Sequence, residues 1–213
     1  DPADSKNEIL KKLSRFVQNS LSYHAIEFGS RGLVPEIASK TASNKYGDCK
    51  DHSVLLKSLL KASGIESDLV LLNTESAIYE DIATLGQFNH IILCVYDDQG
   101  KPLFIDATDK VGEPWSIPPS YLIGKKALIM NPAMPRWEVI KANEKIPHNI
   151  IVSRVMKEGI NNCLDVDEKI IMSGYIAFYM RDYLKSENKD QWPKMIANMA
   201  SRIGVSTQVS HVA

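Results

Sequence analysis

The chain has 213 residues, and its 25 Lys and Arg against 26 Asp and Glu give a formal net charge of −1. This near-balance argues against a dedicated nucleic-acid-binding protein, which usually carries a basic excess. No uncharged apolar run approaches the roughly 18–20 residues of a membrane span. Three cysteines cannot all pair with one another, so the chain is not a disulfide scaffold and must rely on a hydrophobic core.

The first part of the chain predicts helices and strands in alternation. Apolar residues recur every three or four positions over 5–22 and 48–63, which indicates two amphipathic helices, and Pro35 favours a short helix over 35–45. Apolar segments bounded by turn residues predict four strands: 68–73, 88–96, 102–106 and 127–130. We therefore expect an α+β fold.

The composition changes after Pro135, and a boundary is expected between there and residue 147. Beyond it, alternation predicts strands over 149–157 and 168–179, and 181–203 predicts a helix with Pro193 in its first turn. We expect a core domain at 1–140 and a strand-and-helix extension at 141–213, which could begin a following domain.

The segment around Cys49 is the most informative for chemistry. If Asp48 caps the helix, Cys49 is its first residue, and Asp51 could bond back to the cap amide. A sulfur there lies near free amides and the positive end of the helix dipole, which favours the nucleophilic thiolate. The alternative is a small buried residue that happens to begin a helix.

Two further residues complete the side-chain types of a thiol triad. His90 begins a predicted strand and Asp106 ends the next one, so they could serve as base and orienting carboxylate. Each alone could instead be structural. His52, one helical turn beyond Cys49, is a rival base, although a histidine on the same helix is poorly placed for the proton transfer.

The hairpin between these two strands decides whether His90 and Asp106 can meet. Side chains alternate along a strand, so a two-residue loop would point Asp106 away from His90. The triad therefore predicts a three- or five-residue loop or a bulge between Tyr96 and Lys101, with Gly100 at positive φ. With a regular two-residue turn, Asp109 would be the next carboxylate to consider.

Five short motifs in this order resemble the transglutaminase-like superfamily of papain-related thiol enzymes. They cover roughly residues 9–130 and are 23–27 (YHAIE), 46–51 (YGDCKD), 55–64 (LLKSLLKASG), 88–90 (FNH) and 105–108 (IDAT). The resemblance implies a papain-like transglutaminase core, with the Cys-bearing helix packed on an antiparallel sheet. It implies that Cys49 is the nucleophile, that His90 is the base and that Asp106 orients it.

The resemblance also implies a reaction. Cys49 would form a thioester with a peptide or amide substrate, and we expect hydrolysis, as in a cysteine protease or amidase, over transfer to an amine. The Cys49 backbone amide is a natural oxyanion donor, and Tyr23 is a candidate for the second. We expect no metal and no cofactor, since the five histidines show no tight ligand spacing and no Gly-rich phosphate loop is present.

Two further expectations come from similar bacterial proteins in this superfamily. They carry the core between extracytoplasmic domains, which implies flanking domains and a periplasmic or extracytoplasmic location. The superfamily also includes members that only bind, so the alternative is a non-catalytic peptide- or partner-binding module of a larger cell-envelope protein. The sequence departs from the pattern at His24 and His52, where an apolar residue and a Lys or Ala are expected.

Overall fold

A computed structural model describes residues 5–26, 28–111, 118–142, 148–160 and 163–200. The chain divides into two compact units, Asp1–Pro147 and His148–Ala213. It combines α-helices with sheets that are antiparallel except for one pair of two-residue strands, which confirms the α+β class. The predicted domain extents, 1–140 and 141–213, stay a prediction.

Three helices of the first unit lie within the predicted segments: α1 (Lys6–Ser20) and α3 (Cys49–Ala62) where the apolar periodicity predicts them, and α2 (Ala38–Asn44) within the short helix expected after Pro35. The Ser5 side chain caps α1 by accepting a hydrogen bond from the Glu8 amide. Gly64 follows α3 with a φ of 76°, the left-handed conformation in which helices commonly end.

A five-stranded antiparallel sheet with the order β5-β4-β3-β6-β7 forms the centre of this unit. Its strands are β3 (Ser67–Leu72), β4 (His90–Tyr96), β5 (Pro102–Ile105), β6 (Lys126–Ile129) and β7 (Arg136–Val139). Four of them were predicted, and β7 was missed because its four residues fall inside the expected domain boundary. Two short strands, β1 (Ser22–Tyr23) and β2 (Tyr46–Gly47), pair in parallel, and β2 lies immediately before α3.

The core lies on both faces of the sheet because alternate residues of β4 point to opposite sides. Leu93 and Val95 join a buried cluster with residues of α1 and α3, whereas Ile92 and Cys94 join a second cluster with residues of β3 and β6. A strand buried on both faces explains the near-continuous apolar run of β4. The first cluster packs the Cys49-bearing helix onto the sheet.

The second unit contains a hairpin of β8 (Ile150–Glu158) and β9 (Leu164–Met172), followed by α4 (Tyr175–Ser186) and α5 (Trp192–Ala200). The predicted strand over 168–179 is wrong beyond Met172, because Gly174 at a φ of 70° ends the extended chain and α4 begins at Tyr175. The predicted helix over 181–203 is instead the end of α4 and all of α5, since Glu187 and Asn188 are extended between them. Pro193 does lie in the first turn of α5, and 201–203 are outside the described residues.

Helices within the described ranges are all too short or too polar to cross a bilayer.

Candidate active site

The start of α3 is a complete capping box built around Cys49. The Asp48 carboxylate accepts hydrogen bonds from the Lys50 and Asp51 amides at 3.1 and 3.3 Å, and Asp51 accepts from the Asp48 amide at 3.2 Å. Cys49 is the first helical residue, as predicted, and is partly exposed. A Cβ at Gly47 would lie 2.5 Å from the Asp51 Cβ, so this tight turn into the helix requires glycine.

The same capping residues hold two preceding segments against the helix. Asp51, only 1% exposed, accepts from Arg31 Nη2 and from the Glu36 amide, both at 2.8 Å. Lys50 is buried, pairs with the Asp48 carboxylate and donates to the Ile26 carbonyl at 3.2 Å. The position of Cys49 is therefore fixed by charge-assisted hydrogen bonds as well as by its helix.

The β4–β5 hairpin has the predicted odd register. Leu93 pairs with Ile105, and the Asp97 amide bonds to the Lys101 carbonyl at 3.0 Å across a three-residue loop. Gly100 occupies that loop at a φ of 75°, as predicted. Asp106 therefore lies on the His90 side of the hairpin, and His90 Nε2 is 2.5 Å from Asp106 Oδ2.

Asp106 is fully buried, and both of its carboxylate oxygens accept hydrogen bonds. The amide and hydroxyl of Thr108 donate to Oδ1 at 2.8 and 2.6 Å, and the Tyr121 hydroxyl donates to Oδ2 at 2.8 Å. Burial alone would raise the pKa of Asp106, but its hydrogen bond to His90, the His90 charge and the Thr108 donors lower it. The carboxylate is thus held in its charged form.

His90 joins this carboxylate to Cys49. Burial alone would lower the pKa of His90, but hydrogen bonds to Asp106 and Cys49, together with the charges of both, raise it to about 10. Because Asp106 takes Nε2, the ring nitrogen left for Cys49 is Nδ1. The Ser53 hydroxyl donates to the Ile91 carbonyl at 3.1 Å, which ties α3 to the first residues of β4.

The His52 side chain is buried rather than exposed at the site. It is completely buried, and its Nδ1 lies 2.8 Å from the Asp48 carbonyl in the preceding turn. Burial lowers the pKa of His52, against the effects of the Asp48 carbonyl and Asp106, which raise it. A neutral ring bonded to its own helix cannot readily exchange a proton with a substrate, so the geometry argues against the rival base.

Tyr23 lies close to the helix start, because β1 pairs it with Gly47. Its side chain is 50% exposed, and its ring centroid is 6.0 Å from that of His52. His24 stacks on Tyr46 at 5.1 Å, so the unexpected histidine is part of a surface ring pair. The role of Tyr23 as an oxyanion donor stays a prediction.

The remaining candidates lie apart from this arrangement or have other contacts. Cys94 is buried mid-strand, and burial raises its pKa to about 12, whereas Cys163 is exposed. Asp109 accepts from the Val111 amide at 3.0 Å. Within the described ranges, no three His, Cys, Asp or Glu residues converge as metal ligands.

Sequence reasoning missed Tyr121 and the supporting roles of Thr108, Arg31 and Lys50. Thr108 had a readable signal, since a Thr two residues after an Asp commonly bonds back to it. Tyr121 is 15 residues beyond Asp106 and lies in the short 3-10 turn Ser120–Leu122, so no local pattern connects the two.

One solved structure with a similar fold is a crystal structure described as a "putative protease" from Parabacteroides distasonis ATCC 8503, with a TM-score of 0.51 and 17% sequence identity. The match covers 65% of this chain and 25% of that one, so this chain spans about a quarter of its length. No family model and no curated protein matches the chain. At this identity, the likeness concerns the fold alone.

Proposed function

We propose that this chain is a transglutaminase-like thiol hydrolase that transfers the acyl group of a peptide or amide substrate to water. The observation that carries the proposal is the position of His90, which is hydrogen-bonded to Asp106 and whose pKa is raised by its interactions with both Asp106 and Cys49. A nucleophile, a base and a buried orienting carboxylate in this order are the parts of a thiol triad. The fold neighbour's description as a protease is compatible with a hydrolase.

The geometry supports the first half-reaction. Asp106 holds His90 through Nε2, which leaves Nδ1 to hold or receive the Cys49 proton. The Cys49 sulfur forms a bond to the carbonyl carbon, and negative charge develops on the carbonyl oxygen. The Cys49 backbone amide is in the first helical turn and has no acceptor within the helix, so it is a natural donor to that oxygen.

The second half-reaction uses the same histidine. His90 gives its proton to the leaving amine as the carbon–nitrogen bond breaks, which leaves a Cys49 thioester. The neutral ring then takes a proton from water as the water oxygen attacks the thioester, and the thiolate leaves. An amine in place of water would give transamidation, which we propose is the minor route.

Selective alkylation tests whether Cys49 is activated. We expect mild iodoacetamide at neutral pH, followed by peptide mass spectrometry, to modify Cys49 faster than Cys163. Cys163 is the internal control because it is the more exposed thiol. Faster modification of Cys163 would contradict an activated nucleophile.

Acylation tests the reaction itself. With p-nitrophenyl acetate as a generic acyl donor, we expect an acetyl group on Cys49 in the intact protein and its loss by hydrolysis. Cys49→Ala should abolish acetylation and turnover while leaving the melting temperature nearly unchanged. Addition of monodansylcadaverine distinguishes water from an amine as the acceptor. A protein that never acetylates at Cys49 would be better explained as the non-catalytic binding module.

A further inference from the structure

The Asp106 oxygen that holds His90 has a second donor. Oδ2 accepts from His90 Nε2 at 2.5 Å and from the Tyr121 hydroxyl at 2.8 Å, whereas Oδ1 accepts only from the neighbouring Thr108 among the bonds described. A neutral phenol therefore shares one buried oxygen with the imidazole.

Tyr121 reaches this oxygen from outside the β4–β5 hairpin. It lies in the 3-10 turn Ser120–Leu122, whose Leu122 side chain is completely buried in the second core cluster. The Tyr121 side chain itself remains 42% exposed. The buried Leu122 thus fixes a partly exposed ring so that its hydroxyl extends to a fully buried carboxylate.

A hydrogen bond to a carboxylate spreads its charge and weakens its attraction for any other donor. With the phenol in place, Asp106 attracts the His90 proton less strongly than it would with the imidazole as the sole donor on Oδ2. This matters because His90 must be charged when it protonates the leaving amine and neutral when it activates water. A carboxylate that held the imidazolium too firmly would slow the second step.

We propose that Tyr121 is a positioning residue that moderates the hold of Asp106 on protonated His90 and thereby speeds hydrolysis of the Cys49 acyl-enzyme. This inference rests on the proposed function for the roles of Cys49 and His90. It concerns a residue that acts through Asp106 and not on the substrate.

Titration of His90 in Tyr121→Phe tests the coupling without any substrate. Long-range ¹H–¹⁵N NMR of the unreacted full chain follows both ring nitrogens of His90 across the alkaline range. We expect the midpoint to move upward by about one pH unit in Tyr121→Phe, because Oδ2 loses its competing donor. Tyr179→Phe, which removes a phenol from α4 in the other unit, is the matched control and should leave the midpoint unchanged.

The acyl-enzyme provides the kinetic readout. In single-turnover reactions with p-nitrophenyl acetate, Tyr121→Phe should lose acetyl from Cys49 about three- to tenfold more slowly, while the acetylation rate changes less than twofold. An unchanged or lower His90 midpoint, or equal slowing of both steps, would overturn the inference.

A second variant keeps the test usable if Tyr121→Phe does not fold. Site-specific 3-fluorotyrosine at position 121 is a stronger donor than tyrosine, so it should move the His90 midpoint downward, and an upward or absent shift contradicts the inference. A shifted midpoint in a protein that never acetylates at Cys49 would reject the proposed function and support the Tyr121 coupling. Normal acetylation with an unshifted midpoint would reject the role of Tyr121 alone.

Discussion

The two halves of the candidate site are assembled in different ways. In the helix half, Cys49 is positioned by Asp48 and Asp51, which lie within two residues of it. In the hairpin half, His90 and Asp106 are 16 residues apart and meet only because the turn between their strands has an odd number of residues. The position of Cys49 thus depends on local capping, whereas the pairing of His90 with Asp106 depends on strand register.

Asp51 in the helix half and Asp106 in the hairpin half are both buried carboxylates, but they have different partners. Asp51 binds Arg31 and backbone amides, so it holds loops against the helix. Asp106 binds His90, Thr108 and Tyr121 and raises the pKa of the imidazole. We therefore expect loss of Asp51 to reduce stability and loss of Asp106 to reduce activity.

The largest effect is expected from Asp106→Asn. An amide at this position offers a donor to His90 Nε2 and favours the wrong tautomer, so the Cys49 acetylation rate should fall by roughly 10³- to 10⁴-fold. Stopped-flow measurement with p-nitrophenyl acetate gives the rate, and circular dichroism establishes that the variant is folded.

Asp109→Asn is the control for this change, because Asp109 is three residues further on and is also largely buried. It should retain most of the acetylation rate. If Asp109→Asn loses the reaction and Asp106→Asn keeps it, the assignment of the orienting carboxylate is wrong.

Asp51→Ala should have the largest effect on stability. It leaves the Asp48 and Glu36 amides and the partly buried Arg31 without their acceptor, so the free energy of unfolding should fall by about 3 kcal/mol. Urea denaturation measures the loss. Glu36→Gln, which removes a surface ion pair with the exposed Lys40, is the control and should leave the midpoint unchanged. Equal effects of the two variants would contradict the role given to Asp51.

The sequence predicted the capping box around Cys49, because a capping box needs only residues close to one another. It did not predict that Arg31 and Lys50 bind the capping carboxylates. The sequence limited the register between β4 and β5 to a few possibilities without selecting one. Gly100 favoured the three-residue loop, but only the pairing of Leu93 with Ile105 in the structure established it. Tyr121 could not be predicted, since its contact with Asp106 depends on how the chain returns to the sheet at β6.

Prediction from the sequence has the same limit for the fold outside the site. Long periodic segments such as α3 were predicted well, whereas the four-residue β7 was missed. At 168–179, the apolar residues fit both the alternation of a strand and the periodicity of a helix around Tyr175. In the structure the strand ends before Gly174, which has a positive φ, and a helix begins at Tyr175. Short or ambiguous patterns need tertiary contacts to resolve them.

The pH dependence of the free energy of unfolding should show the contribution of the His90–Asp106 pair in the hairpin half. The folded-state pKa of His90 is raised to about 10, so its contribution is fully present below the unfolded value near 6.5 and is lost as pH rises through 10. Urea denaturation of wild type and His90→Gln should show their stability difference shrinking by up to about 1.4 kcal/mol per pH unit in this window. His52 has a lowered pKa and acts in the opposite direction, but it is present in both proteins and cancels. A difference that is constant from pH 6.5 to 9 would contradict the charged pair.

The smallest expected effect, Gly100→Val, tests whether register matters for reactivity. Gly100 has a φ of 75°, which a β-branched residue adopts only with strain, so the free energy of unfolding should fall by about 1 kcal/mol or more. A Cβ there meets no atom within 4 Å, so the loss comes from backbone strain and not from a clash. Gly64→Val is the matched control, since Gly64 has a φ of 76° and equally open space at the end of α3. Both variants should lose similar stability in urea, but only Gly100→Val should slow iodoacetamide alkylation of Cys49, because only its strain acts on the turn that aligns His90 with Asp106. Equal alkylation rates in the two variants would mean that the site tolerates distortion of the hairpin and that strand register is not what holds His90 in place.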